Sequence, residues 1–254
     1  MEKIGIPDKK NRVGLLDEIR GFAIIGVVMY HAAYLLINLF NVNIPFFNST
    51  WLETTRDIFA GSFIFISGTM CRYSRNNLKR GVICFFCGML ITFVTAFFPI
   101  VPILFGILHF LGISMMIYGL CGEIFERLPA WAGLPLCAVL AALTWNISRG
   151  FVGIPKLFEL NLPKTVYNVG LLFPFGMYNS SFASSDYYPI IPWLFVFLGG
   201  SYFAEWLKEG SLPDFFYSTH IKWLAAIGRH TMWIYLLHVP IIYIILTLTF
   251  HFLH

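Results

Sequence analysis

Apolar residues run along this chain in blocks of roughly twenty, the length a helix needs to cross a hydrocarbon core of about 30 Å. The blocks predict spanning helices over 15–40, 54–71, 79–98, 102–122, 129–148, 187–208 and 228–250. Short segments of strict apolar–polar alternation, the mark of a membrane β-barrel, are absent. The expected fold is therefore all-α, a polytopic integral membrane helix bundle of about seven spans. A shorter apolar stretch, Val166 to Met177, is interrupted by Pro174 and is the candidate for an eighth, partly inserted segment. No internal repeat or low-complexity linker divides the chain, so residues 1–254 read as a single membrane domain.

Composition agrees with the pattern. Hydrophobic residues make up 58% of the 254 positions and charged residues 12%, the latter about half the share of a soluble domain. Mean hydropathy is +0.74. The lipid bilayer is thus the first expected partner. The net charge of +4 does not argue for nucleic acid, because the basic residues lie where membrane topology puts them. With a cytoplasmic N-terminus, Lys3, Lys9, Lys10, Arg12, Arg20, Arg72, Arg75, Lys79, Arg80, Arg127, Lys208, Lys222 and Arg229 fall inside. Only Arg56, Arg149, Lys156 and Lys164 fall outside, the bias that positive residues show toward the cytoplasm. The polar, basic start leads into an apolar run too long for a signal-peptide core and without a cleavage site, so a retained first helix is expected. An odd number of spans puts the C-terminus outside and makes 149–186 an exterior cap over the bundle. The expected location is the plasma membrane of a bacterium. Sequons at Asn48, Asn146 and Asn179 have meaning only on a eukaryotic secretory route.

Cys71, Cys84, Cys87, Cys121 and Cys137 lack metal-ligand spacing, and no metal is expected. The C-x-x-C of Cys84 and Cys87 lies in an apolar helix, where a buried thiol pair is the plain reading. The costly residues are more telling, since ionisable groups inside a span are functional suspects. The first helix carries Asp17, Glu18, Arg20 and His31. Arg20 and His31 are eleven residues apart, which is three turns plus about 20°, so both project from nearly one face some 16 Å apart along the axis. Asp17, one turn below Arg20, is a candidate partner for it. His109 and His238 reach comparable depth, roughly 10–15 Å from the nearer interface. Three helices thus offer an imidazole each, and an apolar surrounding favours the neutral form that a general base needs. The alternative is that such a histidine only bonds a backbone carbonyl or a neighbouring helix. Near the start of the sixth span, SSDYYPIIPW supplies Asp186, Tyr188 and Trp193, a carboxylate and aromatic faces suited to a sugar or amine, or equally an interfacial aromatic belt.

Several blocks together resemble the heparan-alpha-glucosaminide N-acetyltransferase catalytic-domain family, within the wider group of transmembrane acyltransferases. They are LDEIRGFAIIGVVMYHA (Leu16–Ala32), FIFISGTMCRYSRNNLKRG (Phe63–Gly81), FGILHFLGIS (Phe105–Ser114), SDYYPIIPWLFVFLGG (Ser185–Gly200) and IGRHTMWIYLLHVP (Ile227–Pro240). The resemblance implies transfer of an acetyl group from cytoplasmic acetyl-CoA to an amine or hydroxyl of a carbohydrate at the other face. The wider group carries a basic residue, ten intervening positions and a histidine on its first helix, the spacing of Arg20 and His31. His31 is then the expected catalytic residue, with Asp17, His109 and His238 beside it, and Arg20, Arg72 and Arg75 are expected to hold the CoA phosphates. Asp186, Tyr188 and Trp193 are expected to meet the acceptor. The catalytic histidine of the animal lysosomal enzyme would fall near Asn48, and His31 stands where that enzyme has an asparagine. Mid-membrane histidines also serve proton relays, so a small transporter is the rival reading, although the inverted repeat many transporters show is not found. A scaffold subunit of an envelope-polysaccharide pathway is a third, and association into a homo-oligomer is left open.

Overall fold

The computed structural model describes residues 13–47, 49–97 and 101–253. Lys3, Lys9, Lys10, Arg12 and the Asn48 sequon lie outside the described residues. The chain folds as α1 (Gly14–Phe40), α2 (Thr50–Cys71), α3 (Asn77–Thr95), α4 (Ile107–Phe125) and α5 (Ala130–Thr144). An antiparallel hairpin of β1 (Phe151–Ile154) and β2 (Phe158–Asn161) follows, with Phe151 opposite Asn161. The short α6 (Lys164–Tyr167) leads to α7 (Ile190–Glu209), α8 (Lys222–Arg229) and α9 (Thr231–Leu253).

Among the described residues six helices are long and apolar enough to cross a membrane: α1, α3, α4, α7, α9, and α5 with the 3-10 turn that carries it to Arg149. All are helical for the reason membranes impose, that each backbone N–H and C=O must be bonded within its own segment. The count is one below the seven expected. The seventh, 54–71, does form a helix of 22 residues, but Glu53, Arg56 and Asp57 in its first turns keep it out of the apolar set. Arg56 and Asp57 neutralise each other in an ion pair of 2.9 Å. The proposed eighth segment, 166–177, is not a spanning helix. It divides into α6 and a 3-10 turn, Gly170–Phe175, that contains Pro174 and ends at Gly176 with φ of 94°.

The chain divides into two compact units. The first comprises residues up to Phe63 and from Glu209 onward. Here α1 packs on α8 and α9. The contact with α8 is backbone against backbone. A Cβ on Gly228 would run into the Asp17 carbonyl oxygen, and one on Gly21 would run into that of Leu224. Glu18, 5% exposed, closes the same junction by accepting N–H bonds from His220 and Ile221 at the start of α8, the latter at 2.8 Å. An acidic side chain there satisfies helix donors that have no partner in their own turn. Gly228→Ala should destabilise the protein by about 1–3 kcal/mol, because no flexible side chain is present to give way. Thermal unfolding of the purified variant measures it.

The second unit is Ile64–Lys208. Its α3 and α4 pack through glycines seven apart on each helix, Gly81 and Gly88 on α3 and Gly112 and Gly119 on α4, with the nearest atom of the facing helix 2.6–2.9 Å from where a Cβ would stand. Small residues at such a seam let backbones approach where no hydrophobic effect drives helices together. In α7, Gly200 lies against the Phe65 carbonyl and Gly68 against that of Phe197 in the same manner. Phe110 and Phe197 are fully buried in this unit. Cys84 is buried with its Sγ 3.4 Å from the Leu108 carbonyl, and both Cys84 and Cys87 are free thiols.

Candidate active site

In the first unit the structure brings two of the three expected histidines together. His31 projects from α1, seventeen positions after Gly14, where the helix begins. His238 is the eighth residue of α9 and opens its third turn. His31 Nδ1 lies 2.6 Å from His238 Nε2. The ring planes differ by 16° and the centroids are 4.9 Å apart, so two nearly coplanar rings meet edge to edge. His238 Nδ1 lies 2.7 Å from the backbone oxygen of Tyr235. His238 is buried and His31 half-buried, and among the described residues no hydrogen bond engages Nε2 of His31.

An aromatic and cationic group adjoins the pair. Tyr30 stacks on Phe47 with centroids 5.2 Å apart, and the Arg56 guanidinium lies 5.8 Å from the centre of the Tyr30 ring. Arg56 also interacts electrostatically with His31. Sequence reasoning assigned Arg56 only to topology. The signal that could have found it was a charge inside a predicted span, which is functional until shown otherwise. Asp17 is 7% exposed at the α8 junction, and Arg20 is half-buried three turns before His31.

The remaining expected residues belong to the second unit. His109 is 2% exposed. Its Nδ1 accepts the Gly106 N–H at 3.2 Å, so in the neutral ring Nε2 carries the proton and donates to Thr92 Oγ1, also at 3.2 Å. The Thr92 hydroxyl in turn donates to the Ile103 carbonyl at 2.5 Å. Both ring nitrogens of His109 are therefore engaged within its own unit. Asp186 accepts the Ile107 N–H at 3.2 Å with Oδ2 and so caps α4 from a position 79 residues further along the chain, well outside the local patterns by which caps are read. Tyr188 bonds the Phe105 carbonyl through its N–H at 3.0 Å, and its ring meets that of Trp193 at 5.3 Å. Tyr188 and Trp193 are both buried. Beside them burial holds the Tyr187 phenol well above its ordinary range, in keeping with the bond its OH donates to Phe173.

Arg72 has a side chain only 12% exposed and pairs with Glu205 at 3.0 Å and with Glu126 at 4.0 Å. It also donates to the Ser201 carbonyl at 3.4 Å. Each carboxylate has a second task, Glu126 accepting the Tyr118 hydroxyl at 2.7 Å and Glu205 the N–H of Ala130 at the start of α5, at 3.2 Å. Arg75 is exposed just before α3.

The long apolar helices define a polytopic integral membrane protein. The chain belongs to the heparan-alpha-glucosaminide N-acetyltransferase catalytic family, whose model matches residues 12–240, and is thereby a membrane acetyltransferase. The matched stretch includes Arg20, His31 and His238 and ends at Pro240. Neither the curated proteins nor the solved structures compared with it give a match.

Proposed function

We propose that the protein moves an acetyl group from acetyl-CoA, bound from the cytoplasmic side, to an amine or hydroxyl of a carbohydrate at the exterior face, with His31 as the reacting base. The observation that carries the proposal is the hydrogen-bonded pair of His31 and His238, which holds one imidazole by the other and leaves a ring nitrogen of His31 without a hydrogen bond among the described residues. Nε2 of His31 takes the proton from the acceptor N–H or O–H. The freed electron pair forms the bond to the acetyl carbon, the C–S pair leaves on the CoA sulfur, and the proton held on His31 goes to that sulfur. Attack by His31 itself, forming a transient acetyl-histidine, uses the same nitrogen.

Arg20 is proposed to hold CoA phosphates by charge-assisted hydrogen bonds. Arg72 was expected to join Arg20, but its charge is already met by Glu205 and Glu126, so a structural role is proposed for it. For Asp186, Tyr188, Trp193 and His109 the proposed role is likewise positioning, through the start of α4. Segment 149–186 is the proposed exterior cap, and the plasma membrane of a bacterium, with the N-terminus in the cytoplasm, is the proposed setting.

A ligand bound only by the folded state stabilises it, by about 2.7 kcal/mol at a hundred times Kd. Acetyl-CoA should therefore raise the unfolding temperature of the purified protein. Arg20→Ala should weaken acetyl-CoA affinity by about 10- to 150-fold, the scale of one charge-assisted bond at about 1.5–3 kcal/mol. Calorimetry that finds no acetyl-CoA binding to the wild type would remove the donor from the proposal.

A further inference from the structure

We infer that His238 is the positioning residue of this site and that it makes Nε2 of His31 the reacting atom; the inference rests on the acetyl-transfer reading above. A backbone carbonyl can only accept a hydrogen bond. The 2.7 Å contact between His238 Nδ1 and the Tyr235 oxygen therefore puts a proton on Nδ1. A neutral imidazole has a single N–H, so Nε2 of His238 presents a bare lone pair. The 2.6 Å contact to His31 Nδ1 must then be supplied with a proton by His31. That leaves the lone pair of His31 on Nε2. The order of cause runs from a main-chain carbonyl on α9, through one ring, to the reactive face of the other.

Orientation is set along with the tautomer. Edge-to-edge rings differing by 16° allow His31 little rotation without losing the bond. When Nε2 accepts a proton, His31 becomes an imidazolium whose Nδ1–H still points at a neutral acceptor. The bond becomes charge-assisted as the charge appears, which favours the transition state over the ground state. A carbonyl-anchored imidazole here takes the part that an orienting carboxylate takes in a Ser-His-Asp triad, without placing another anion in the membrane interior.

The first test needs no turnover. Nitrogen NMR of histidine-labelled wild-type protein in lipid nanodiscs, with the His31 signals assigned from a His31→Gln variant, reports which ring nitrogen carries hydrogen. Protonated Nδ1 and bare Nε2 on His31 are expected, and the opposite tautomer would overturn the inference. The second test uses acetyl transfer from acetyl-CoA to glucosamine. A Gln amide can place its oxygen where Nε2 of His238 stands, whereas Asn keeps only the bond to Tyr235 and Leu keeps neither. His238→Gln should retain kcat within about tenfold, while His238→Asn and His238→Leu lose about 1,000-fold or more, near the loss seen when a triad's orienting group is disabled. KM for acetyl-CoA should stay unchanged in all three. Equal loss in the three variants, or no loss in any, contradicts a positioning role. If the wild type transfers nothing to glucosamine, the acetyl-transfer reading has failed with that acceptor, and the NMR spectrum still decides the tautomer.

Discussion

His31→Ala should abolish acetyl transfer while the protein still folds. The variant removes the one imidazole of the pair that has a ring nitrogen left for the acceptor, and a lost general base alone costs about 100- to 10,000-fold. The loss should reach the upper end of that range, because water cannot readily replace a base inside an apolar bundle. The fold should survive, since α1 is held to α8 by Gly21, Gly228 and Glu18, three turns from the substitution. A cooperative thermal unfolding transition together with lost turnover is the expected pair of results. The His238 imidazole left behind keeps its bond to Tyr235, so it is not stranded in the bundle.

Arg72→Ala should act in the reverse manner, through stability. Removing one member of a buried ion network leaves its partners uncompensated, at a cost of about 3–5 kcal/mol. The lower end is expected, because the Glu126 and Glu205 side chains are 45% and 25% exposed and water screens part of the loss. Arg72→Lys should recover only part of it. The guanidinium reaches Glu126 through Nε, Glu205 through one terminal nitrogen and Ser201 through the other, and an ammonium cannot reproduce that fork. The measurement is thermal unfolding, with acetyl-CoA affinity of the folded fraction as control. Affinity reduced as strongly as in Arg20→Ala would return Arg72 to phosphate binding.

The helices were legible because membrane burial writes itself into local composition. Helices α1, α3 and α4 lie where the apolar runs predict them, to within about five residues at each end. Three charges at the start of α2 set it apart from the apolar helices, while Pro174 and flanking glycines broke a segment whose composition alone looked insertable. The site was half legible. His31 could be picked out as an imidazole inside a span, yet its partner lies 207 positions away, and no local spacing announces such a pair. His109 looked equivalent to both by depth. Its difference is the start of α4, where the Gly106 N–H and the Thr92 hydroxyl occupy both its nitrogens. The pairing of Arg72 with Glu126 and Glu205 and the capping of α4 by Asp186 arise only through tertiary packing, so no local spacing announces them.

The most direct test is transfer across a sealed membrane. Proteoliposomes of defined orientation would carry acetyl-labelled CoA on the face bearing the N-terminus and glucosamine on the opposite face. Labelled product should accumulate on the glucosamine side with wild-type protein and fall to the protein-free background with His31→Ala. Equal accumulation with the two proteins would contradict a reaction centred on His31.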